Sequence, residues 1–131
     1  MISRRISGKK NSIEVFAQVN LIGNDLLVVL WGGTKPHIGA IGIGQPRKSL
    51  KDSKKISATS SVFTFVGHKE DTVAKWMSEE LARGLNKTVV VSCGMHWDGL
   101  TDERINQILR VCRNLAGRIM KMVKEEGAKS R

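Results

Sequence analysis

The chain has 131 residues and a formal net charge of +10, with 40% apolar and 26% charged residues. That is one domain, long enough to bury roughly two-thirds of its unfolded surface without a disulfide or a metal. Two cysteines in apolar periodic segments read as buried free thiols and do not support a disulfide framework, and no apolar stretch reaches the roughly 18 residues of a membrane span.

Residues 1–11 read as a basic N-terminal tail carrying Arg4, Arg5, Lys9 and Lys10, with no apolar signal region. With the cysteine usage, this sets a reducing, cytoplasmic compartment as the expectation. Ser12–Ile22 alternates apolar and polar side chains, the period of a half-buried strand. Gly23-Asn24-Asp25 turns the chain into Leu26–Trp31, a continuous apolar strand. Gly32-Gly33-Thr34-Lys35-Pro36 reads as a second turn. Ile38–Ile43 is a third strand with interleaved glycines, including Gly39, which leave room for a ligand or another backbone. Residues 45–57 form a basic loop.

Ala58–Val66 is a fourth strand. Asp71–Leu85 carries the apolar stripe of a helix, and Thr88–Cys93 is a strongly β-forming fifth strand. Thr101 reads as an N-cap, with Asp102 and Glu103 favoured by the helix dipole in the first turn. The second helix runs to about Glu126, where Gly127 ends it, and residues 127–131 are a C-terminal tail. The predicted order is β-β-β-β-α-β-α. It describes a single α+β domain over residues 12–126, an antiparallel β-sheet packed against two amphipathic helices. The sheet has more apolar surface than two helices cover, so a homodimer is expected.

The three histidines, His37, His68 and His96, each lie beside a glycine where an apolar strand gives way to a loop. Such loops on a rigid scaffold are where sites are built. A zinc site made from them lacks paired-ligand spacing, so no metal is expected, and a metal-dependent enzyme is the least favoured reading. Cys93 as a nucleophile with Asp98 is disfavoured, because burial in a strand makes a thiol inert. Turn amides at Gly32 and Gly33 with Lys35 form a candidate phosphate nest. Trp97 is a candidate stacking plane for a flat ligand, and core packing is its plainer alternative. The positive charge is scattered and accompanied by no tyrosine, so nucleic acid is not an expected partner.

The segments Gly33-Thr34-Lys35-Pro36-His37-Ile38-Gly39-Ala40, Gly67-His68-Lys69-Glu70-Asp71 and Gly94-Met95-His96-Trp97-Asp98 resemble, in the same order, the prenylated-flavin chaperones (LpdD-like family) that accompany UbiD-type decarboxylases. The likeness extends over about residues 12–125. It implies a fold similar to the proteasome-assembly chaperones. It also implies a non-catalytic protein that binds prenylated FMN and passes it to a UbiD-type decarboxylase. The histidines and their glycine neighbours would then occupy the family's marked positions. The competing reading is a protein-assembly chaperone or interaction module without a small ligand.

Overall fold

A computed structural model describes residues 1–65 and 70–129. Six strands are present: β1 (Ile2–Lys10), β2 (Ile13–Ile22), β3 (Asp25–Gly33), β4 (Ala40–Lys48), β5 (Ile56–Thr64) and β6 (Val89–His96). Helix α1 (Asp71–Leu85) lies between β5 and β6, and α2 (Asp102–Lys129) follows β6. The sheet order is β1-β2-β3-β6-β4-β5.

The α+β class and the two helices match the sequence reading, and three features differ. The residues read as an N-terminal tail form β1, paired antiparallel with β2 from Ile2↔Leu21 to Lys10↔Ile13. Ile6 and Gly8 pack on the core side, while Arg4 and Arg5 are the charged residues that edge strands commonly carry. The basic loop is shorter than expected, because β4 runs on to Lys48 and β5 begins at Ile56. The sheet is mixed, not wholly antiparallel, because β3 and β6 pair in parallel from Leu26↔Val89 to Gly33↔His96.

Two tight connections set the register on the β1 side. Asn11 takes a left-handed φ of 56° between β1 and β2, and Gly23 one of 60° between β2 and β3. Asparagine and glycine carry that conformation at little steric cost.

Both helices pack on one face of the sheet, α2 against β1 and β2, and α1 against β4, β5 and β6. Val15, Ala17, Val28, Leu30 and Val91 from the strands meet Met77, Leu81, Leu115 and Ile119 from the helices, all almost fully buried. Thr101 caps α2 as predicted, its hydroxyl accepting from the Arg104 amide at 3.2 Å. The helix passes through Gly127 to Lys129 instead of ending at the glycine. No described helix is long and apolar enough to cross a membrane.

The glycines of β4 make room for a neighbouring element of the same chain. A Cβ at Gly42 would strike the carbonyl of Ala74, and one at Gly44 the carbonyl of Ser78. The bare face expected to admit a ligand is where the α1 backbone closes on the sheet.

Candidate functional site

Strand direction gathers the histidine loops. β3, β5 and β6 run the same way, so the connections after them emerge at one end of the sheet. His37 follows β3, His96 closes β6, and both helices begin at this end. His68 also belongs to the connection after β5, but it lies outside the described residues.

The link from β3 to β4 must pass over β6, which sits between them. Thr34 donates its amide to the His96 carbonyl at 2.8 Å, and Gly39 donates to the Cys93 carbonyl at 2.9 Å. The His37 carbonyl rests on Gly94, where a Cβ would overlap it. Gly33 has a φ of +82° and lies against the backbone of His96. Gly32 and Gly33 therefore belong to the β3 ladder, not to an open turn, and the next amide is already used. Lys35 is exposed on the crossing loop.

Glu70, the residue before α1, ties these segments together. Its Oε1 lies 2.7 Å from His37 Nε2 and accepts from the Met95 amide at 3.3 Å. Its Oε2 packs on Gly39, where a side chain would displace it. That oxygen is buried and has no hydrogen-bond partner among the described residues. His37 Nδ1 lies 2.8 Å from the Lys35 carbonyl, so both ring nitrogens are engaged. His96 is more open, with Nε2 2.9 Å from Asp98 Oδ1.

Beside Glu70 a cavity of about 420 Å³ opens between the starts of the two helices and the end of β6. Val73, Met95, Leu100, Ile105, Ile108 and Leu109 supply its apolar wall. Trp97, His96, Thr72 and Glu70 complete it. The volume falls in the range of small-molecule sites, which pair apolar walls with a few convergent polar groups. Trp97 also covers Gly32, where a Cβ would lie 3.2 Å from its ring.

Of the residues expected in a site, His96 and Trp97 line this cavity, while His37 and Gly39 stand behind it through Glu70. Gly32 and Gly33 support it from β3, and Lys35 lies outside. Glu70 and the early residues of α2 are not among the expected site residues. Nothing in a local pattern distinguishes a helix residue facing a cavity from one facing a filled core.

The thiols are placed against nucleophilic chemistry. Burial pushes Cys93 far above the ordinary thiol range, and the nearby Cys112 and Glu70 push it further. Burial raises Cys112 to about 12. Among the described residues no three His, Cys, Asp or Glu side chains are grouped to hold a metal ion.

The prenylated flavin chaperone LpdD-like domain matches residues 9–124. The chain belongs to this family. It is 28% identical over 89 residues to protein LpdD of Lactiplantibacillus plantarum, a span of 68% of this chain and 62% of that protein. The matched segment thus covers less than two thirds of that relative's length. The fold is similar to a chain in the crystal structure of a chaperone complex for yeast 20S proteasome assembly. There the TM-score is 0.51 at 16% identity, covering 92% of this chain and 99% of the other.

Proposed function

We propose that this family member is a non-catalytic chaperone that holds a flavin phosphate, prenylated FMN above all, and hands it to a UbiD-type decarboxylase. The observation that carries the reading is the apolar cavity at the end of β6, in a chain of the prenylated flavin chaperone LpdD-like family. The flavin is cargo here. Its ring system suits the wall formed by Met95, Leu100 and Leu109, with Trp97 as the stacking plane. His96 hydrogen-bonds the polar edge, its orientation held by Asp98. Glu70 disfavours an anion inside the cavity, so the phosphate stays outside, where exposed Lys35 offers a cation.

Titration calorimetry with prenylated FMN and with plain FMN tests this. Saturable binding, tighter for the prenylated form and weakened in Lys35→Ala and His96→Ala proteins that melt like wild type, is the expected result. No binding at about 100 μM ligand, where even weak specific sites fill, defeats the reading. The protein-assembly module then takes its place.

We also infer that two copies pair through the uncovered face of the sheet. Phe16, Trp31, Ile41, Ile43 and Phe63 lie on that face, and Phe63 is 62% exposed. A second copy presents the same apolar surface, as a two-fold interface requires. Light scattering is expected to give a dimer at micromolar concentration, and Ile43→Arg to give a monomer. A wild-type monomer overturns it.

A further inference from the structure

The outward side of α2 has a charge pattern that the flavin reading does not use. From Arg104 to Lys124 the helix contains Arg104, Arg110, Arg113, Arg118, Lys121 and Lys124 and no acidic residue. Two of these cations are engaged: Arg104 bonds the Ser12 hydroxyl and Arg118 the Ser7 carbonyl. Among the described residues the other four make no hydrogen bond or ion pair. On α1, by contrast, Lys75 pairs with Glu79 and Arg83 with Glu80.

The four unpaired cations surround one glycine. Gly117 lies at the middle of the exposed side, opposite the buried residues Ile108, Cys112, Leu115 and Ile119. Arg113 and Lys121 stand about one turn to either side of it, Arg110 and Lys124 about two. A glycine inside a helix lowers its stability relative to alanine. No described residue requires one here, because a Cβ at Gly117 would meet no atom of them within 4 Å. Small residues of this kind let a second helix approach closely. Shallow grooves of about 480 Å³ and 300 Å³ flank the stripe. The first is lined by Gly117, Lys121 and Lys124, with Glu125 at its edge. The second is lined by Arg110 and Asn114, with Lys9 and Lys10 of β1 adding charge of the same sign.

We propose that the α2 surface from Arg110 to Lys124 docks an acidic helix of a partner protein, which crosses α2 over Gly117. The four cations supply charge complementarity on both sides of the crossing, and the glycine lets the helix backbones come close. The stripe offers no aromatic side chain on which a nucleic-acid base could stack. The inference needs no flavin, so its test is independent of the proposed cargo.

The probe is a fluorescent acidic peptide of about 20 residues, long enough to form a helix. Binding is read by anisotropy at low salt, beside a single-stranded RNA of equal charge. The wild-type protein is expected to bind the peptide with an affinity that falls as salt rises. Arg113→Glu with Lys121→Glu should weaken it about tenfold or more, whereas Lys51→Glu with Lys54→Glu, the same charge change in the β4–β5 loop, should change it less than about twofold. Gly117→Leu should weaken it about fivefold or more by blocking the close approach, with no loss of melting temperature because the site is open. The proposal is overturned if the wild type ignores the peptide or the loop variant costs as much as the stripe variant. It also fails if Gly117→Leu binds like wild type, or if the RNA binds about tenfold tighter than the peptide.

Discussion

The two faces of the sheet are written in the same alternation and end in different surroundings. On one, Val28, Leu30 and Val91 are essentially sealed beneath α1 and α2. On the other, Phe16 and Trp31 stack with centroids 5.6 Å apart beneath the Arg5 guanidinium, while Ile43 and Phe63 stay open. Strand periodicity specifies that a residue points up or down. It does not specify whether anything covers it, which depends on where the helices return. The covered face is therefore the source of stability, and the open face keeps apolar side chains in solvent.

The sharpest test of the sealed face is chemical. With a thiol pKa of about 12, Cys112 holds only about one part in ten thousand as thiolate at pH 8, since the thiolate forms only as pH rises toward that value. Labelling of Cys112 and of the still more strongly shifted Cys93 by a disulfide reagent should run roughly a thousandfold slower than in urea. Equal rates would mean the covered face opens readily. Next in size, Leu30→Ala should cost about 2–5 kcal/mol in urea denaturation, against less than about 1 for Ile43→Ala measured on the monomer. Similar costs would erase the distinction between the faces.

Gly42→Val should cost about 1–3 kcal/mol by forcing α1 away from β4. A neutral result would show that the helix can shift freely. The smallest expected effect lies at the rim, where the Lys75 ammonium and the Ser60 hydroxyl, both donating to Glu79, hold its carboxyl below the ordinary 4.5. A depressed carboxyl stabilises the fold above its unfolded value, and that contribution fades as pH falls below it. Because the Glu79 side chain is 37% exposed and its partners are screened by solvent, Glu79→Gln should cost only about 0.3–0.5 kcal/mol near pH 7, shrinking toward zero in acid. A loss independent of pH would show that the charge is not the cause.

Much of the fold was legible from local pattern. The extent of α1, the Thr101 cap and the apolar runs of β2, β3 and β6 follow from period, capping chemistry and β-branching. The three motifs carried the family resemblance, and the match over residues 9–124 agrees with it. β1 escaped notice because an edge strand with basic residues has the composition of a tail. Only its ladder with β2 and the packing of Gly8 on Val111 and Leu115 identify it.

The site divides in the same way. That the histidine and glycine segments mark loops was written in the residues themselves. That His37, Glu70 and Gly39 meet behind one cavity was decided by the insertion of β6 between β3 and β4, which forces the crossing loop over Gly94. The glycines of β4 make the point most directly. The sequence determined that side chains would be missing there, and the tertiary structure decided what fills the space. A backbone carbonyl from α1 and a ligand ring demand the same absence of a Cβ, and only the path of the chain distinguishes them.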